Sequence, residues 1–201
     1  MQRIMYGLVI FISMCAWGAL HSWLAAFSTK DLAQRIAGED IQRYYRLIYN
    51  LVAVLTLSPI LAMVIFLPSR VLWRIPAPWV YLTLTLQALA LFGVVITFRQ
   101  IDTRAFIGLR QQDEPAAEDQ NKLVTQGLYG WVRHPLYFFF LIVFWLFPVM
   151  TDLSLAFVIA ASLYIIIGII PEERKLVAIY GDAYREYQQK VPRIIPWLKI
   201  L

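Results

Sequence analysis

The chain has 201 residues, of which 60% are apolar and 15% charged, and carries a formal net charge of +5 with a mean hydropathy of +0.63. That composition excludes an ordinary water-soluble domain and a disordered tail. It points to one small helical bundle in a membrane, a single domain over residues 1–201. The positive balance is no argument for nucleic acid as a partner, because basic loop residues of a membrane protein set its orientation.

Five apolar segments follow in chain order: 5–27, 47–67, 79–98, 136–150 and 153–170. The first is long enough to cross a hydrocarbon core of about 30 Å at 1.5 Å rise per residue. It lacks a small-residue cleavage site, so it reads as a span and not as a signal peptide. The single cysteine, Cys15, lies inside it, which leaves no disulfide framework and no cysteine metal cluster. His21 and Ser22 stand near its end, where proximity to the headgroups suits a supporting or packing histidine. Residues 28–46 form a polar connector with a short helix expected around 31–36. The second and third segments are joined by a turn, 68–78, stiffened by Pro68, Pro76 and Pro78. Residues 1–98 thus make a three-helix N-terminal part.

Residues 99–126 include the acidic piece 111–120, expected as a mobile surface loop. The fourth and fifth segments are short and tightly linked at 150–153, which predicts a helical hairpin that emerges on the side it entered. From Pro171 onward, residues 172–189 read as an amphipathic helix bent near Gly181, with Leu176, Tyr180, Tyr184 and Tyr187 on its buried face. The expected fold is an all-α integral membrane protein of about five transmembrane helices, the last two a short hairpin, followed by a cytoplasmic amphipathic helix.

The basic residues are unevenly shared. The loops 28–46 and 99–135 and the tail hold fifteen lysines and arginines, whereas the opposite side holds three, Arg3, Arg70 and Arg74. Basic loops stay in the cytoplasm, so both long loops and the C-terminus are expected there, in a bacterial inner membrane.

Two polar islands flank the hairpin, Gly127 to Tyr137 before it and Pro171 to Leu176 after it, and the predicted fold brings them to one face. Polar groups set against membrane-grade sequence are costly and mark functional candidates. Pro135 biases His134 out of the α-region and starts a helix whose free amides favour an anion. Arg133 suits the same anion. An interfacial belt of Arg, His, Tyr and Trp explains these residues as well. Glu172 and Glu173 fit either a site for a cationic or hydroxyl-bearing ligand or a simple complement to a helix dipole, worth about 0.3–1 kcal/mol. Two histidines without helical ligand spacing leave no metal centre.

The islands, in this order, resemble the superfamily of isoprenylcysteine carboxyl methyltransferases and phospholipid methyltransferases. The resemblance rests on Gly127, Tyr129, Val132, Arg133, His134, Pro135 and Tyr137, then Glu172 and Glu173. Gly181, Tyr184, Tyr187, Val191 and Pro192 complete it, over about the last 80 residues. The front half is similar to bacterial NnrU-like and methanethiol S-methyltransferase-like proteins, through Leu20-His21-Ser22, the run from Tyr44 to Asn50, and Phe106 to Gln111. The family commonly has Pro, Arg and Gly where this chain has Leu128, Gly130 and Phe139, and Phe139 is expected to fill space beside the cofactor or acceptor tunnel.

The resemblance implies S-adenosylmethionine as methyl donor, held on the cytoplasmic side in residues 127–201 by Tyr129, Arg133, His134, Pro135, Tyr137, Glu172 and Glu173. It makes His134 and Glu173 the catalytic candidates. The acceptor would be a lipophilic or small molecule reached from the membrane lipids: a prenylated cysteine carboxylate, a lipid amine or a small thiol. Aligning donor and acceptor can supply about 7–11 kcal/mol of the barrier. A thiol or amine also needs a base, from His134 or a glutamate. The competing reading is a non-enzymatic NnrU-like protein, a transporter or a respiratory-enzyme assembly factor. A transporter places polar residues at mid-membrane; this chain concentrates them at one face.

Overall fold

The structure, a computed structural model, describes residues 2–38, 40–109 and 123–198. The expected surface loop at 111–120 lies outside them. In chain order the elements are α1 (Gln2–Leu24), α2 (Phe27–Ala37), α3 (Asp40–Phe66), β1 (Val71–Arg74), α4 (Trp79–Gln100), α5 (Thr103–Ile107), a 3₁₀ turn (Gly127–Gly130), α6 (Pro135–Trp145), β2 (Val149–Thr151), α7 (Asp152–Tyr180) and α8 (Asp182–Lys190). Among the described residues, four helices are long and apolar enough to cross a membrane: α1, α3, α4 and α7.

Two expectations need correcting. The last hairpin is not a pair of short helices: α6 has 11 residues, whereas α7 has 29 and carries Pro171 in its interior. At 1.5 Å per residue these are about 16 Å and 43 Å long. Pro171 therefore does not begin a separate helix. A proline inside a helix removes one backbone bond and bends the axis, and membrane helices tolerate it because neighbours satisfy the freed group. The expected amphipathic helix over 172–189 is instead the last part of α7 followed by α8, separated at Gly181, whose φ of +58° favours glycine. The other addition is a two-stranded sheet, β1 with β2. Around it the Asp152 amide donates to the Arg70 carbonyl at 3.0 Å and the Ile75 amide to that of Pro148 at 2.9 Å. The Asp152 carboxylate returns the contact by accepting from the Arg70 amide at 2.9 Å.

The chain forms two compact units. One comprises Met1–Leu72, Thr103–Pro115 and Met150–Tyr164; the other comprises Trp73–Asp102, Ala116–Val149 and Ile165–Leu201. In the first, the polar start of α3 ties its neighbours down. Tyr45 donates to the Leu24 carbonyl at 2.7 Å, Arg46 to Ala105 at 2.7 Å and Asn50 to Ile107 at 2.8 Å. Lower in the same helix, Ala53 accepts from the Trp17 indole at 3.0 Å. Side chains that bond carbonyls at helix ends satisfy groups the helix itself leaves open.

In the second unit α4 packs on α6 through a small-residue stripe, Ala90, Gly93 and Thr97, all buried. Small residues let membrane helices approach closely where no hydrophobic force drives them together. The Phe139 ring occupies the notch at Gly93, where an added Cβ would fall within 2.6 Å of ring carbons. Gln87 adds a bond to the Val143 carbonyl at 2.8 Å. Phe139 thus fills space against α4. It is two residues from Tyr137, which puts the two side chains about 200° apart around α6.

This packing predicts that Gly93→Val destabilises the protein by about 1–3 kcal/mol through overpacking. Phe139→Ala in the same chain should recover part of the loss, because the two positions share one volume. Thermal unfolding of the single and double variants in detergent checks it, and strictly additive losses would contradict the contact.

Candidate functional site

The sequence places one proline, Pro135, at the first position of α6, and its ring forces the residue before it out of the helical region. His134 accordingly sits at φ −123° and ψ 67° as the N-cap of α6. Its carbonyl accepts the first helical bond, from the Phe138 amide at 3.1 Å. The segment before it is strapped by the chain after α8: the Arg133 amide donates to Pro192 at 2.9 Å and the His134 amide to Arg193 at 3.1 Å. One turn earlier, Gly127 lies at φ +63° against the Gln100 amide group, and Gln100 accepts from the Leu128 amide at 3.2 Å.

At the centre is Glu173, 4% exposed. Its Oε1 accepts from Arg133 Nε at 2.7 Å, from His134 Nε2 at 3.2 Å and, more distantly, from the Tyr184 hydroxyl at 3.5 Å. Its Oε2 accepts from Gln188 Nε2 at 3.2 Å and forms an ion pair with Arg193 Nη2 at 3.1 Å. A carboxylate only accepts, so His134 carries its proton on Nε2 in this arrangement. Arg133 Nη1 donates to two carbonyls, Gln188 at 2.9 Å and Val191 at 2.6 Å. Its Nε and Nη1 are therefore engaged by the protein.

Glu172 is the contrasting neighbour. Successive residues on a helix point about 100° apart, so it turns away from the buried network and stays 41% exposed. Its Oε2 accepts from the Tyr137 hydroxyl at 2.8 Å and lies 3.9 Å from His134 Nδ1. The Tyr137 and His134 rings stack, with centroids 5.5 Å apart. Tyr129 completes the group: burial pushes its phenol up to about 12, with the Glu172 charge adding to the effect. It therefore remains a neutral donor. Its carbonyl accepts from the Tyr187 hydroxyl at 2.6 Å. Tyr184 and Tyr187 are likewise pushed up, chiefly by burial; the negative Glu173 adds to the shift at Tyr184, and Tyr129 adds to that at Tyr187.

The structure thus brings Arg133, His134, Pro135 and Tyr137 together with Glu172 and Glu173, and places Tyr129 beside them. Neither glutamate lies at a helix start, so complementing the dipole of an N-terminus no longer explains them. Sequence reasoning missed Arg193 and Gln188 as ligands of Glu173; the Val191-Pro192 pair at the end of the motif was the one pointer to that strap. Among the described residues no group of His, Cys, Asp and Glu could hold a metal ion.

Breaking one member of a buried ion pair leaves the other uncompensated, which typically costs about 3–5 kcal/mol. Arg133→Ala should therefore lower stability by about that amount. Asp182→Ala, which removes the exposed pair to Arg185, should change it by less than about 1 kcal/mol. Denaturant unfolding of the two variants separates the cases; equal losses would contradict the buried role of Arg133.

Comparison with known proteins gives the family. The phospholipid methyltransferase family matches residues 79–183. A methanethiol S-methyltransferase of a Pseudomonas species is 32% identical over 195 residues, covering 94% of this chain and 73% of the relative. Methanethiol S-methyltransferase 1 of Bradyrhizobium diazoefficiens is 36% identical over 133 residues, 63% of this chain and 46% of the relative. The protein-S-isoprenylcysteine O-methyltransferase of Schizosaccharomyces pombe is 34% identical over 90 residues, 40% of this chain and 36% of its own. The match spans less than half the length of the first curated relatives, 46% and 30%. No solved structure matches the chain. A family match over residues 79–183, more than half the chain, leads to one conclusion: the chain belongs to the phospholipid methyltransferase family.

Proposed function

We propose that this chain is an integral-membrane, S-adenosylmethionine-dependent methyltransferase acting on a small thiol or another lipophilic acceptor. One observation carries the reading: a half-exposed carboxylate, Glu172, stands between Tyr137 and His134, beside a buried carboxylate, Glu173, that holds His134 in place. The residues suit the cofactor's chemistry. Glu172 offers an acceptor for an ammonium group or ribose hydroxyls. The His134, Tyr137 and Tyr129 rings offer aromatic surface for a purine or a sulfonium cation. When bound, S-adenosylmethionine supplies a methyl group already activated on sulfur.

The chain's own part is then to bind, orient and exclude water. The Arg133–Glu173 pair and the Pro192–Arg193 strap hold His134 in one tautomer and one orientation. His134 Nδ1 is the ring nitrogen left facing Glu172, and with Glu172 it is the group able to take a proton from a thiol or an amine. Glu173, saturated by five donors, acts in this reading through His134 and not as a base itself. The relatives carry methanethiol and prenylated cysteine in their names, and these two chemistries set the acceptor classes for this chain.

The membrane orientation is part of the same proposal. With fifteen basic residues on the site's side against three, that side is the cytoplasm. A C-terminal reporter active only outside the cytoplasm should stay silent, and a bright one would overturn the orientation.

The binding test uses purified protein in detergent and isothermal calorimetry. S-adenosylmethionine should bind and raise thermal stability by about 2.7 kcal/mol at a hundredfold excess over Kd. Glu172→Ala and His134→Ala should each lose binding by about tenfold or more, on the order of 1.4 kcal/mol, while remaining folded. Arg185→Ala and Lys190→Ala, at exposed pairs on α8, should bind as the parent does. If these two lose binding as badly as His134→Ala, the assignment of the site fails; no binding at millimolar cofactor would sink the function.

A further inference from the structure

The chain beyond α8 carries an apolar surface that nothing above uses. Trp197 is 96% exposed and stands at φ +64°, a left-handed backbone that a bulky residue rarely adopts. The turn around it closes with the Leu198 amide donating to the Ile195 carbonyl at 3.1 Å. Ile195 and Leu198 are themselves exposed. A strained residue persists where surrounding contacts compensate it, and an indole this exposed draws almost nothing from its own chain.

The strap fixes the depth of this surface. The Arg133 and His134 amides bond the carbonyls of Pro192 and Arg193, and Pro135 then opens α6, 11 residues without a charge. Pro192 and Arg193 therefore lie level with the entry of an apolar helix. Trp197 is four residues beyond Arg193, at most about 14 Å of chain. Trp131, two residues before Arg133, is exposed as well.

Indole rings are enriched at the headgroup level of a membrane, where one end meets hydrocarbon and the other water. Residues 190–201 add Lys190, Arg193 and Lys199 and contain no acid. Basic residues interleaved with isoleucine, leucine and tryptophan suit a surface that is both apolar and negative. We propose that residues 194–198 dock on the headgroup layer of an anionic lipid leaflet, with Ile195, Trp197 and Leu198 inserted. A second copy meeting this face across a two-fold axis would bring like charges together, which disfavours it as the cover. Docking is independent of the reaction that the site performs. It reaches the site by a short route all the same, since Arg193 pairs with Glu173 and its carbonyl holds the His134 amide.

The test uses the full chain with Cys15→Ala, which removes its one cysteine, and Leu198→Cys carrying a fluorophore. The protein is placed in nanodiscs of phosphatidylcholine with about 30% phosphatidylglycerol, an anionic surface. Lipids bearing a nitroxide just below the headgroup should quench this label about threefold or more beyond one at Asp182→Cys, an exposed position on α8. A polar, uncharged nitroxide in the water should rank the two labels in the opposite order. Adding Trp197→Ser should lower lipid quenching at position 198 by about threefold, with an unchanged circular dichroism spectrum to show that the variant is folded. Replacing the phosphatidylglycerol with phosphatidylcholine should lower it by about twofold. Equal lipid quenching at 198 and 182, or no change with Trp197→Ser, would overturn the docking. Protection of position 198 from both quenchers would overturn it too, because that marks a protein cover, the chain's own or a second copy's.

Discussion

The buried carboxylate of Glu173 organises the second unit. An ion taken out of water loses several kcal/mol of solvation, and only close, well-aimed donors offset that loss. Five donors from three parts of the chain converge on it: Arg133 and His134 at the entrance of α6, Tyr184 and Gln188 on α8, and Arg193 on the segment beyond. The charge is what gathers them, and the backbone bonds from Arg133 and His134 to Pro192 and Arg193 close the same joint.

That joint explains why adjacent glutamates have different characters. Glu173 is fully engaged, so its negative charge is spent on structure. Glu172, one residue earlier on the same helix, is turned outward and keeps an accessible carboxylate beside a tyrosine hydroxyl and a stacked imidazole. A rigid buried pair supporting an exposed, oriented pair is an arrangement suited to positioning a charged ligand, because the groups that touch it are held by others that do not.

The continuity of α7 through Pro171 has a related consequence. Were the proline a break, Glu172 and Glu173 would sit at a fresh helix start and their orientation would depend on a flexible link. Inside one helix of 29 residues, both glutamates take their directions from continuous helical backbone on either side of Pro171. The proline has no amide to donate, so one helical backbone bond is missing near the site.

Much of this was legible in the sequence. Composition and the apolar segments determined a helical membrane protein, because hydrophobic length is a local property. The spacing of the two islands around one hairpin foretold that Arg133 and His134 would meet the Glu172-Glu173 pair, since a hairpin returns the chain to the side it left. The break at Gly181 and the buried faces of Tyr184 and Tyr187 followed from local periodicity. What only the tertiary structure decided was which glutamate is buried, that Arg133 is tied inward, that Arg193 and Gln188 complete the shell, and that Phe139 packs against Gly93. These depend on the rotation of each helix about its axis and on the path of the chain after α8. A rotation of about 100° separates one residue from the next, and the neighbours that choose between them lie far away in the chain.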